Sequence, residues 1–273
     1  MVIRVPDIRA WPPEASPLVA ITAYDRPSAL AVERAGFEIV LVGDSAAQVI
    51  HGRKHTTSLG MEEILIHLKA VRPFISHSLL VADMPFGPVQ VGDRETKEAA
   101  VALVAAGAEA VKIEGGDASL GAIRRLTNHG IEVMGHLGLT PQSVHTLGGY
   151  KVQGTGRKAA SQILKDALAL EQAGAFAIVL ECLPAPLAAL ITKRLSIPTL
   201  GIGSGSRCRG QILVFHDVVG WEGSSFKFLP HPFGDVSQHV DGALSRYKKE
   251  VQEGNYPEPD QSWELSPEEI EGL

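Results

Sequence analysis

Ala106-Gly107-Ala108-Glu109-Ala110-Val111-Lys112-Ile113-Glu114-Gly115-Gly116 decides how the rest of the chain is read. A helical stretch ends at a glycine suited to the left-handed C′ position. An apolar strand follows, and it stops at a charged residue and a Gly-Gly turn. Alternate side chains in a strand share a face, so Lys112 and Glu114 point one way while Val111 and Ile113 point the other. Two charges on the inward face of a strand need partners, because an unpaired buried charge costs several kcal/mol or more. A structural ion pair and a functional pair both meet that need.

The same unit recurs from Ala35-Gly36 to Asp44, from His129-Gly130 to His136, and from Ala173-Gly174 to Glu181. Leu18 to Thr22 reads as a first strand. Leu79 to Asp83 and Thr199 to Gly203 read as strands without the leading glycine. Gln211 to Asp217 is expected to supply the eighth strand. Apolar residues at helical spacing lie between them: Met61, Ile64, Leu65, Leu68 and Val71; Ile123 and Leu126; Leu164, Ala167 and Leu168; Leu187, Leu190 and Ile191. Strands alternating with helices over about 200 residues predict a parallel sheet, and eight units predict its closure as a (β/α)8 TIM barrel. An open, doubly wound sheet is the alternative. The run Gly201-Ile202-Gly203-Ser204-Gly205 has Ser206 where a dinucleotide fingerprint needs its third glycine, and it stands on the seventh strand rather than the first. The barrel is preferred, over about residues 18–220. A proline-punctuated head precedes it. An amphipathic helix is expected over about 236–253, and an acidic tail, 254–273, is expected to be mobile. The whole chain reads as one domain.

Composition bounds the partners. The chain has 273 residues, 45% of them hydrophobic, and a formal net charge of −6. No apolar run approaches the roughly 18 residues that span a membrane, and the first twenty residues lack the apolar core of a signal peptide. The absence of a Lys/Arg cluster beyond short pairs argues against a nucleic-acid surface. Cys182 and Cys208 form neither a disulfide framework nor a zinc spacing, which fits a reduced, cytoplasmic setting.

In this barrel type, catalytic groups come from the C-terminal ends of several strands. Those ends carry Asp44-Ser45, Asp83, Lys112 with Glu114, His136 and Glu181. Carboxylates that converge repel one another unless something neutralises them. Hard Mg2+ prefers carboxylate oxygen and water, and Asp44, Asp83 and Glu114 come from neighbouring strands. Zinc fits less well, since there is no His-Glu-x-x-His. Glu181, across the rim, is left free to act as a base. Lys112 and His136 offer positive charge or hydrogen bonds to a substrate carboxylate and carbonyl. His51 and His55 read as a solvated loop rather than a metal pair. Gly148 to Gly154 reads equally as a lid or a long connection, and Gly201 to Gly205 as a tight turn more than a phosphate cradle.

Taken together, Thr22-Ala23-Tyr24-Asp25, Leu41-Val42-Gly43-Asp44-Ser45, Asp83-Met84-Pro85-Phe86, Val111-Lys112-Ile113-Glu114-Gly115-Gly116 and Gly135-His136-Leu137-Gly138-Leu139-Thr140-Pro141-Gln142-Ser143 resemble the ketopantoate hydroxymethyltransferase family. Gly148 to Gly154, Leu180-Glu181-Cys182, Gly201-Ile202-Gly203 and Gly210-Gln211-Ile212-Leu213-Val214 extend the resemblance over about Leu18 to Gly220. It implies a barrel of the phosphoenolpyruvate mutase/isocitrate lyase superfamily. It further implies transfer of a one-carbon unit from 5,10-methylenetetrahydrofolate to 3-methyl-2-oxobutanoate, giving 2-dehydropantoate for pantothenate and coenzyme A. Carried over position by position, Asp44, Asp83 and Glu114 are the Mg2+ site. Ser45, Asp83, Lys112 and His136 bind the oxo acid, Glu181 is the general base, and a homodecamer is the expected assembly. The sequence departs from the family pattern at Thr57-Ser58-Leu59-Gly60, at Gly87-Pro88-Val89 and at Arg209. A lyase or mutase of the same superfamily is the enzymatic alternative, but the Lys-Lys-Cys-Gly-His type loop such enzymes use is absent. A non-catalytic barrel would be expected to lose rim carboxylates, and all are present.

Overall fold

The computed structural model describes residues 2–221, 232–271 and 273. The strands are β1 (Leu18–Thr22), β2 (Ile39–Val42), β3 (Leu79–Asp83), β4 (Ala110–Glu114), β5 (Val133–Gly138), β6 (Ala177–Glu181), β7 (Thr199–Ile202) and β8 (Gly210–Leu213). They pair in parallel in sequence order, and β8 returns to β1, so the sheet is a closed barrel. Helices alternate with them, among them Arg26–Ala35, Met61–Val71, Asp93–Ala105, Leu120–Asn128, Arg157–Gln172 and Ala185–Arg194. The chain divides into two compact units, Met1–Phe215 and His216–Leu273. The single-domain span read from sequence includes residues 1, 222–231 and 272, which lie outside the described residues.

Strand parity builds the barrel interior. Leu18, Ala20, Ile39, Leu41, Leu79, Val81, Ala110, Met134, Ala177, Val179, Leu200 and Ile212 form one buried cluster. β1, β2, β3 and β6 lend it alternate residues and the other four strands one each, as pleated strands closed into a barrel do. The short helix Val5–Arg9 in the proline-rich head adds Val5 and Ile8 to the same cluster. Fully burying a Leu- or Ile-sized side chain stabilises by roughly 1.5–3 kcal/mol, so this head is part of the core rather than an appendage.

Helix ends follow local chemistry. Arg26–Ala35 begins at Asp25, whose side chain accepts from the Ser28 N–H, and ends at Gly36 with φ +80. A left-handed residue there closes the helix with no Cβ penalty.

The eighth strand is shorter than the sequence suggests. Its pairing ends at Leu213, opposite Ile21, and Phe215–Val219 is helical. The Phe215 N–H donates to Thr22 Oγ1 at 2.9 Å instead of to a ladder carbonyl. The apolar run Ile-Leu-Val-Phe carries no mark of where its partner strand stops. In the second unit, the helix Val236–Glu253 starts at Asp235, which caps the Gln238 N–H, and Leu244, Tyr247 and Val251 are exposed. Short helical segments at Pro259–Gln261 and Pro267–Glu271 follow, with all their residues exposed.

Candidate active site

The site begins where the barrel core stops being apolar. Val81, Ala110, Met134 and Val179 are core residues. The next inward positions on the same strands are Asp83, Lys112, His136 and Glu181. Register sets them side by side: Asp83 pairs with Lys112, Glu114 with His136, and Gly138 with Glu181. Asp44 and Ser45 follow the end of β2.

These side chains form one continuous buried array. Lys112 Nζ lies 2.8 Å from Asp83 Oδ1, at ion-pair distance though off the hydrogen-bond direction, and 3.8 Å from Glu114 Oε1. His136 Nδ1 lies 3.2 Å from Glu114 Oε1, while its Nε2 lies 3.2 Å from Glu181 Oε2 as an ion-pair contact rather than an aligned hydrogen bond. The Asp44 N–H donates to Asp83 Oδ2 at 2.9 Å. At Gly43, just before Asp44, a Cβ would stand 2.8 Å from Ser45 Oγ and 3.4 Å from Asp83 Oδ2, so the absence of a side chain leaves the Ser45 hydroxyl its place.

The charges are unequal in number, and proton affinities record this. Burial, with the charges of Asp83 and Glu114, pushes Asp44 well above the carboxylate range, and Lys112 and Gln142 offset only part of it. Burial also raises Asp83, against the pull of Lys112. Glu114 is burdened by burial too, yet His136, Lys112 and the Gln142 N–H bring it below its ordinary value. His136 loses proton affinity to burial and to Lys112, but Glu114 and Glu181 outweigh both and carry it to about 9. Among the described residues, no group of three or more His, Cys, Asp or Glu side chains stands ready as a metal-binding cluster. Lys112 Nζ stands near both Asp83 and Glu114, where its single positive charge offsets part of theirs.

All the residues singled out at strand ends are thus brought to one rim, and others join them that the sequence left unassigned. Tyr24, fully buried, places its hydroxyl 2.7 Å from Ser45 Oγ. Gln142 bridges Asp44 and Glu114. Tyr150 sits in the glycine-bounded loop, where Gln48 Nε2 donates to its hydroxyl at 3.3 Å. Burial raises the Tyr150 phenol, and the charges of Asp44, Glu181 and Glu114 add to the shift. A phenol or amide leaves no charge signature in sequence; the only signal was membership of the Tyr24 and Gln142 motifs. His51 and His55 separate: His51 Nε2 meets His67 Nε2 at 3.0 Å, and His55 packs edge-on against His145. Ser204, in the glycine run after β7, donates to the Leu180 carbonyl at 2.7 Å and accepts from the Leu183 N–H, so the run is pinned as a turn beside Glu181. Cys182, directly after Glu181, is buried with φ +51. A left-handed non-glycine residue carries backbone strain, and such residues gather at functional sites.

A sequence model of the ketopantoate hydroxymethyltransferase family matches residues 2–259. The chain belongs to this family. Ketopantoate hydroxymethyltransferase relatives include the 3-methyl-2-oxobutanoate hydroxymethyltransferase of Carboxydothermus hydrogenoformans, 48% identical over 257 residues that cover 94% of this chain and 93% of the relative. That of Pyrococcus abyssi is 45% identical over 252 residues, 92% and 89% of the two chains. Among solved structures, phosphonopyruvate hydrolase in complex with oxalate and Mg++ superposes with a TM-score of 0.62 at 16% identity, covering 99% of this chain and 94% of that one. The 2,3-dimethylmalate lyase, a PEP mutase/isocitrate lyase superfamily member, gives 0.59 at 18% identity with 99% and 94% coverage. The chain therefore shares the barrel fold of these solved structures. No helix among its described residues is long and apolar enough to cross a membrane.

Proposed function

We infer that the chain transfers a hydroxymethyl group to 3-methyl-2-oxobutanoate, giving 2-dehydropantoate, with Glu181 as the general base. The observation that carries the reading is the unbroken inward array from Asp83 through Lys112, Glu114 and His136 to Glu181. Lys112 charge and the Ser45 hydroxyl, which Tyr24 orients, suit the carboxylate of the oxo acid. Glu181 takes the C3 proton, and His136 holds the carboxylate of that base in place. The C3 carbanion equivalent, delocalised onto the C2 oxygen, attacks the one-carbon unit and forms the new C–C bond. Water completes the hydroxymethyl group as the folate carrier leaves. His136, protonated through the neutral range, supplies positive charge to the region where oxygen becomes anionic.

The donor set fits a hard divalent cation. Asp44, Asp83 and Glu114 offer oxygen alone, and the charge of Asp44 is undercompensated by its neighbours. Mg2+ held there would polarise the carbonyl of the oxo acid as a Lewis acid. On this reading 5,10-methylenetetrahydrofolate is the one-carbon donor, the setting is cytoplasmic, the chain is one functional domain, and the assembly is a homodecamer. The motif resemblance supports the donor and the decamer, and the uncovered Leu244, Tyr247 and Val251 support burial against another copy.

Exchange of the C3 hydrogen of 3-methyl-2-oxobutanoate in deuterium oxide, followed by NMR without folate, isolates the proton-transfer step. The wild-type protein with Mg2+ is expected to exchange, and Glu181→Gln to lose at least about 100-fold of that rate. Full exchange in Glu181→Gln would remove Glu181 as the base. No exchange in the folded wild type would remove the reading itself.

A further inference from the structure

Gln142 lies in the turn Pro141–Ser143 after β5 and is 8% exposed. Its side-chain nitrogen donates to Asp44 Oδ2 at 2.8 Å and to the Met84 carbonyl at 2.9 Å. Its backbone N–H donates to Glu114 Oε2 at 3.0 Å. We propose that Gln142 is a positioning residue, a neutral clamp that sets Asp44 and Glu114 for a hard divalent cation. The inference rests on the metal reading above and deepens it.

Chemistry explains why an amide serves here. A primary amide nitrogen has two hydrogens, and both are committed. Flipping the amide would set its oxygen against a carbonyl and a carboxylate, so the orientation is fixed. One hydrogen is anchored on the backbone just past β3, and the other is thereby aimed at Asp44. Two buried carboxylates each need a donor, and Gln142 serves both from one residue. It does so without a formal charge, in contrast to Lys112, which pairs with Asp83. A cationic side chain in place of Gln142 would satisfy Asp44 and compete with the metal. The amide satisfies Oδ2, adds no charge that would compete with the metal, and biases Asp44 toward ligation through its other oxygen. Groups that orient metal ligands in this way typically contribute 10–100-fold to affinity.

The test compares the wild-type chain with Gln142→Met and Gln142→Asn. Mg2+ affinity is measured by calorimetry and Mn2+ affinity by electron paramagnetic resonance. The C3 exchange rate is then followed against Mg2+ concentration. Gln142→Met keeps volume and the backbone N–H to Glu114 but removes both side-chain donors. It is expected to bind both cations roughly 10–100-fold more weakly. At saturating Mg2+ the exchange rate should return to within a few-fold of wild type, a split that a general loss of structure would not produce. Gln142→Asn keeps the amide but is one methylene too short to span Asp44 and Met84, so it should weaken binding in the same direction. It carries the test if Gln142→Met does not fold. Wild-type binding with unchanged affinity in the folded variant overturns the clamp alone. A wild type with no saturable Mg2+ binding overturns the metal reading and the clamp together.

Discussion

Replacing Lys112 by Met tests whether the array is held together by charge. Met nearly preserves the volume of the lysine stem, so the change removes the ammonium with little cavity. The Lys112 and Asp83 side chains are only 6% and 3% exposed, so water does not screen their pair. Removing one partner from a buried ion pair costs about 3–5 kcal/mol, because the other charge is left behind. Against a total stability of roughly 5–15 kcal/mol, that is a large fraction. Guanidinium unfolding followed by circular dichroism, with chelator and at fixed protein concentration, should show a lower midpoint at an unchanged slope. The pH dependence has a definite sign. Without Lys112, the folded-state proton affinity of Asp83 rises further above its unfolded value, and Glu114 loses one of the charges that hold it below its own. The cost carried by Asp83 is then fully present above its folded pKa and is relieved as pH falls through it, so the gap to wild type should narrow as the solution is acidified. A loss below about 1 kcal/mol at pH 7, the range of an exposed pair, would refute the premise that this lysine balances buried carboxylates.

Two further perturbations probe neighbouring parts of the site. His136 has a folded pKa of about 9, above its ordinary 6.5. Its contribution is therefore fully present below pH 6.5 and lost as pH rises through about 9, up to roughly 3 kcal/mol; melting the chelated protein from pH 6 to 10 should show that slope in wild type and not in His136→Gln. Gly138 has φ +99, and a Cβ there would collide with the Glu181 carbonyl oxygen. Gly138→Ala should cost at least roughly 1–3 kcal/mol from backbone strain and slow C3 exchange, and a variant that melts and exchanges like wild type would show that this contact does not position the base.

Much of the barrel was legible because its units repeat a simple code. β1 and β3 fall where the apolar runs Leu18–Thr22 and Leu79–Asp83 end at polar residues. The strand ends carried the charged residues of the site, since a buried charge is conspicuous in an apolar run. What escaped has physical reasons as well. The helix Asp93–Ala105 buries Thr96, Ala99, Ala100 and Leu103, a face with little hydrophobic contrast to its surroundings. The end of β8 is set by where β1 stops pairing, which is a relation between distant segments. Gln142 and Tyr24 matter through directed hydrogen bonds, and neither residue type marks its own direction. Nor did spacing reveal that His136 joins Glu114 to Glu181, because that link depends on register between β4, β5 and β6.

The inward side chains of the barrel also divide the rim into two arcs. Along β3 to β6 they are ionic: Asp83, Lys112, His136 and Glu181. Around β7, across from β3, they continue as hydrocarbon, with Ile202 the next inward position after Leu200 and packed on the core. The mouth is thus amphipathic across its diameter. A short branched oxo acid has the same polarity end to end, so its carboxylate and its isopropyl group are sorted by solvation before any single contact forms. Orientation comes from the barrel itself, and discrimination among acids that share the polar head falls to the size of the hydrocarbon arc.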